Sequence, residues 1–266
     1  MGVLAWVRRH LVAFAALVVL LYLLIPNIVV AVFSFNDPVG KFNYNWSRFS
    51  TDAWANPCAS PGICESVGLS LRIGVTASLV ATVLGTMVAF ALGRYRFRGR
   101  AVTNLLIFVP MATPEVVMGS SLLTLFLMLG IPSGDRAILI AHIMFCVSFV
   151  VVAVKARVAT LDPRLEEAAA DLGATPAQTF LRVTLPLAAP GIAAGALLAF
   201  SLSFDDYIIT NFNASPSSIT FPMYVWGAAQ RGVPVQVNVI GTVMFLAALV
   251  CVIVGQLLSN RRQKAV

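Results

Sequence analysis

Three carboxylates stand in stretches of this 266-residue chain that are otherwise apolar: Glu115 in FVPMATPEVVMGSSLL, and Asp205 and Asp206 in AFSLSFDDYIITNF. A charge at the centre of a bilayer costs about 2.5–3.5 kcal/mol on insertion scales, so acids in such stretches face a pathway or a partner. Lys155 and Arg157 belong to the far end of the fourth apolar segment, and Arg72, near the outer end of the second, can compensate at most one of the three acids. The balance is negative charge inside a membrane, which a cation in transit would neutralise. The same residues admit another state, in which they are protonated, are capped by Ser120, Ser203 or Thr210, or pair with a second subunit. A shared-proton protease dyad is poorly served, because adjacent residues on a helix diverge by about 100°. Pro110 and Pro114 free backbone carbonyls near Glu115 that can line a wet cavity. Tyr207, Phe212, Tyr224 and Trp226 either add cation–π contacts at the outer end or form an interfacial belt.

Other chemistries lack their residues. His10 and His142 are isolated from any metal-ligand or triad spacing, and His142, in an apolar run, is expected to be hydrogen-bonded inside a bundle. Of four cysteines, Cys146 and Cys251 lie in apolar runs as small hydrophobes, which leaves Cys58 and Cys64 in NPCASPGICES as a possible disulfide. No G-x-x-x-x-G-K-[ST] loop occurs, so any nucleotide must be bound by another chain.

The longest segment on the basic side of the chain is LDPRLEEAAADLGATPAQTFLRVTLPLAAP. Asp162 followed by Pro163 is a helix start. Leu165, Ala168, Ala169 and Leu172 then recur at helical spacing, and Gly173 sits where a helix ends in a left-handed residue. Thr175-Pro176-Ala177-Gln178 repeats the start signal as a capping box, and a second short helix is expected to run to about Val183 before Leu185-Pro186 stops it. Alanines on the first helix and a glycine at the bend let another protein's surface approach the backbone closely.

The elements that position these groups are membrane helices. With 59% hydrophobic residues, 11% charged and a mean hydropathy of +0.89, the composition excludes a water-soluble globule. Apolar segments at Leu11–Phe35, Val67–Leu92, Ala101–Leu129, Ala137–Val158, Gly191–Phe212 and Val237–Leu258 predict six transmembrane helices, an all-α polytopic fold. Of 18 basic residues, 13 fall on the two ends and on the second and fourth loops, which predicts that both termini are cytoplasmic. The charge clusters alternate with spans, which argues against nucleic-acid binding, and the polar stretch Asn36–Glu65 is then external, where Cys58 and Cys64 could oxidise.

Glu167-Ala168-Ala169, three residues, Gly173, nine residues, Val183, one residue and Leu185-Pro186 resemble the EAA motif of the membrane permease subunits of bacterial ABC importers, with Val183 where the family has isoleucine. TPEVVMGSSLL, SFDDYIIT, FPMYVWGAAQRGVPVQVNVIGT and ALGRYRFRGR are similar to the spermidine/putrescine-type permeases of that family, specifically the second permease of the pair. The resemblance implies a type I ABC importer permease fold with cytoplasmic coupling helices. Residues 1–66 would form a first helix and external loop, 67–258 a five-helix core with the coupling loop at 159–190, and 259–266 a cytoplasmic tail. It implies a non-enzymatic subunit of the prokaryotic inner membrane. Its partners would be a cytoplasmic ATPase dimer carrying ATP and Mg, a second homologous permease, an external substrate-binding protein and membrane lipid. Glu167, Ala168, Ala169, Gly173, Val183, Leu185 and Pro186 would couple to the ATPase, and Glu115, Asp205, Asp206, Tyr207 and Trp226 would line the route of a polyamine. The competing class is a self-sufficient secondary transporter or channel for organic cations, which would need no such loop.

Overall fold

The computed structural model describes the backbone of residues 3–263 and the side chains of 10–255; Lys264 and the two residues after it, in the expected tail, and the side chains of Arg8, Arg9, Arg261 and Arg262 lie outside the described residues. Among the described residues, five helices are long and apolar enough to cross a membrane, and a pair bent by 108° makes a sixth if the two together form one span. The chain divides into two compact units, one of residues 1–64 with 225–266 and the other of 65–224.

In the first unit, α1 (Val3–Phe33) packs along α12 (Val235–Gln263), with Val30 against Gly241. The segment between α1 and the short α2 (Asp52–Ala55) is held by side-chain hydrogen bonds and by one antiparallel bridge, Asn36 with Phe49. Asn36 donates to Asn43 Oδ1 at 2.6 Å and to Asn45 O at 2.8 Å, and accepts from Ser47 N at 2.8 Å. Phe35 stacks between Phe49 and Trp54, Arg48 pairs with Asp37, and Cys58 and Cys64 are disulfide-bonded.

The second unit holds most of α3 (Ile63–Arg94), then α4 (Arg100–Ala112), α5 (Glu115–Met128), α6 (Asp135–Ala159), α7 (Arg164–Asp171), α8 (Pro176–Thr179), a π turn (Phe180–Thr184), α9 (Leu185–Asp205) and α10 (Ile208–Asn213). Helix α11 (Phe221–Arg231) runs across the boundary between units, outside the six apolar segments of the sequence. The core lies around α6, whose Ile138, Ala141, Val150, Val151, Val154 and Val158 are fully enclosed. Close approach replaces bulk at its two neighbours. A Cβ on Gly85 of α3 would sit 2.7 Å from Val150, and one on Gly191 of α9 would collide with Arg157. Small residues at such crossings let membrane helices gain packing where no hydrophobic drive exists.

Three sequence expectations are corrected here. The third span is not one helix over Ala101–Leu129: Pro114 has no N–H and pushes Thr113 into extended geometry (φ −79°, ψ 131°), so α4 and α5 meet at a 108° bend. The fifth span is helical from Pro176, through the π turn and α9, and breaks at Asp206 (φ −63°, ψ 125°) instead of running from Gly191 to Phe212. Leu185-Pro186 does not stop the second loop helix. The chain widens into the π turn and continues as α9, so Pro186 falls in a first turn, where its missing donor is tolerated.

Candidate functional site

The break after α9 gathers a buried polar cluster from three elements. Asp206 caps α10: its Oδ2 accepts from Thr210 N and from Thr210 Oγ1, both at 2.8 Å, and its Oδ1 from Ile209 N at 3.3 Å. His142, enclosed in α6, brings Nε2 to 2.9 Å from Thr210 Oγ1 and 3.3 Å from Asp206 Oδ2, and Nδ1 to 2.7 Å from Ser203 Oγ of α9. Because Thr210 gives its proton to the carboxylate, it accepts from the Nε2–H of His142. In the neutral ring Nδ1 then accepts from Ser203. Every hydrogen-bonding group of the imidazole is satisfied inside the bundle, as expected of His142. Its charged partner was not anticipated, because a separation of 64 positions carries no local signal.

This arrangement divides the three acids. Asp206 is 9% exposed and fully engaged, whereas Asp205, one residue earlier at the end of α9, is exposed. Glu115 is exposed too, in the first turn of α5 directly after the bend. Arg72 compensates none of them, for it pairs with Asp135 at the start of α6, which also accepts from Ser218 Oγ at 2.6 Å. Lys155 donates to Asn104 Oδ1 at 2.5 Å and Arg157 to Leu187 O at 3.0 Å. Among the aromatics, Tyr207 stands at the break itself, Phe212 packs on Gly119 of α5, and Trp226 is 56% exposed on α11, in the other compact unit from Asp205.

The long loop takes the helix, glycine bend, helix form. Helix α7 carries Glu167, Ala168 and Ala169, and Gly173 follows it at φ +82°, the left-handed geometry that glycine adopts without penalty. The capping box opens α8, with Thr175 N donating to Gln178 Oε1 at 2.9 Å and Gln178 N to Thr175 Oγ1 at 3.4 Å. Val183 lies in the π turn, and Leu185 and Pro186 open α9. No residue of α7 is buried, and its apolar stripe faces outward, with Leu165 46% and Leu172 88% exposed. Glu166 turns the other way, to Arg94 at the end of α3. Neither residue of that pair stood out in the sequence; the signal was an acid beside the EAA triplet and an arginine closing an apolar run.

Residues 81–266 match the family described as the inner membrane component of binding-protein-dependent transport systems. The chain is 39% identical over 243 residues, 91% of each chain, to the spermidine/putrescine transport system permease protein PotC of Escherichia coli K12. It is 36% identical over 250 residues to the putrescine transport system permease protein PotI of the same strain, covering 91% of this chain and 88% of that one. In fold it is similar to a chain of a bacterial ABC transporter involved in the import of the acidic polysaccharide alginate, with a TM-score of 0.69, 18% identity and 98% of both chains covered.

Proposed function

This chain belongs to the family of inner membrane components of binding-protein-dependent transport systems, and from that premise we propose that it is a permease subunit of an ATP-driven importer of polyamines such as spermidine and putrescine. The observation that carries the substrate class is 39% identity across nine-tenths of both chains with a spermidine/putrescine permease. Exposed Glu115 and Asp205 support it, since each offers a carboxylate to the ammonium groups of a multivalent amine in a low-dielectric passage. Asp206 serves the same route by fixing the backbone that presents Asp205.

This subunit supplies the path and a partner supplies the energy. ATP and Mg are held by a cytoplasmic ATPase dimer, onto which the exposed stripe of α7, the EAA triplet and the Gly173 bend dock. A second, homologous permease completes the passage within the lipid, and an extracytoplasmic binding protein delivers the amine to the outer face. Both termini lie in the cytoplasm, with the Asn36–Glu65 segment outside. Closure of the ATPase dimer moves the loop, the loop moves the spans, and access to the acids alternates between the two faces. Gly173→Asp tests the docking. A Cβ at Gly173 meets no atom of this chain within 4 Å, while its left-handed φ of +82° strains a side chain by about 1–2 kcal/mol, least for Asp and Asn, so assembly of the variant is verified first and the change then places a carboxylate where the partner sits. In the purified complex, amine transport and binding-protein-stimulated ATP hydrolysis should fall together; full activity in both would remove the loop from the mechanism.

A further inference from the structure

Within the cytoplasmic loop, the π turn packs on α3 through Phe180 and Phe90, whereas α7 is tied to the bundle by a charged side chain. With no residue of α7 buried, no apolar core holds the helix in place. The carboxylate of Glu166 does so: its Oε1 lies 3.0 Å from Arg94 Nη2 and accepts from Thr184 Oγ1 at 3.1 Å. Arg94 is the last residue of α3 and Thr184 the last of the π turn that leads into α9, so one carboxylate oxygen joins α7 to the ends of two spans. The pair is partly withdrawn from water, Arg94 20% and Glu166 34% exposed, where an ion pair is screened less than at an open surface. Beside it a cavity of about 360 Å³ opens between Phe90, Ala170, Ala174 and Phe180. Phe90 of α3 and Phe180 of the π turn meet edge to face on its wall, 5.2 Å between ring centroids, so a ring contact joins the π turn to α3 while the polar link is what α7 itself contributes. Glu166 and Glu167 are about 100° apart around α7, so one faces the bundle while the other remains exposed for a partner.

We propose that Arg94 and Glu166, with Thr184, form the strut that carries movement of the α7 loop into α3 and α9. Both are positioning residues, and the proposal rests on the loop being the ATPase-docking element. Breaking the strut leaves the docking surface intact, so ATP is still hydrolysed while the spans no longer follow. The experiment uses the complete transporter, purified through a tag on this chain with its partner subunits and reconstituted with the binding protein. The measured quantity is amine taken up per ATP hydrolysed, with radiolabelled spermidine and putrescine as the probes. Glu166→Gln and Arg94→Gln should each lower that ratio by about fivefold, the size of coupling usual between contacting residues. The exchanged pair, Arg94→Glu with Glu166→Arg, should recover to within about twofold of the starting protein, while each single reversal does not. An unchanged ratio in Glu166→Gln overturns the proposal, as does an exchanged pair no better than its single reversals. If Arg94→Gln does not assemble, Glu166→Gln alone decides. Gly173→Asp in the same preparation separates the two claims: if it leaves hydrolysis and uptake untouched, the docking assignment fails, whatever the strut variants do.

Discussion

Replacing Asp206 by asparagine and comparing it with the same change at Asp205 separates an acid that builds the passage from one that lines it. In the native cluster Asp206 Oδ2 takes Thr210 N, Thr210 Oγ1 and the His142 ring, and Oδ1 takes Ile209 N. An asparagine has one acceptor end, so whichever way the amide turns, its NH₂ opposes a backbone N–H at the start of α10. Asparagine caps as well as aspartate through its one oxygen, but the backbone N–H left facing the NH₂ costs about 1 kcal/mol. Loss of the charge weakens the remaining bonds by about 1 kcal/mol each, for a total of about 2–4 kcal/mol. At about 2–4 °C per kcal/mol for a chain of this size, the midpoint of unfolding should fall by about 4–16 °C. Asp205→Asn, at an exposed site, should move it by no more than about 0.5 kcal/mol and lower amine uptake instead. The assay is at hand in Cys146, which is fully buried in α6. With exposed Cys251 replaced by serine, a thiol-reactive dye reports the temperature at which Cys146 becomes accessible. An Asp206→Asn protein that unfolds at the native temperature yet loses transport would refute this reasoning and place Asp206 among the groups that touch the amine.

Further outcomes follow from the same geometry. Glu115→Gln should lower the uptake rate while the affinity of the external binding protein for the amine stays as it was; unchanged uptake would make Glu115 structural. A cysteine at Arg98 should react with an impermeant reagent only from the inside and one at Asp52 only from the outside, and external labelling at 98 in intact cells would overturn the topology. Cys58 and Cys64 should resist alkylation until a reductant is added at the outer face, because they are bonded to each other.

Much of this architecture could be read from composition and spacing because both signals are local. An apolar run long enough to cross a bilayer declares itself, and the Asp162-Pro163, Gly173 and Thr175–Gln178 punctuation specified the loop one residue at a time. What the sequence concealed depends on what comes next in space. Pro114 breaks a span, with Thr113 extended before it, whereas Pro26 lies within the unbroken α1 and Pro186 falls in the first turn of α9, just after a π turn. The roles of the paired aspartates could not be separated in one dimension, since only the partners of Asp206, drawn from α6 and α10, set it apart from Asp205. Arg94 and Glu166 were invisible for the same reason: 72 positions separate them in the chain, and each alone resembles an ordinary charge at a helix end.

The most direct test of the central claim is uptake of spermidine and putrescine by proteoliposomes containing the complex purified through this chain, with binding protein outside and ATP with Mg enclosed. Accumulation of either amine that needs enclosed ATP and the binding protein, and that disappears in the Gly173→Asp complex, is the expected result. Accumulation without nucleotide, or none of either amine in a complex whose ATPase responds to its binding protein, would contradict it.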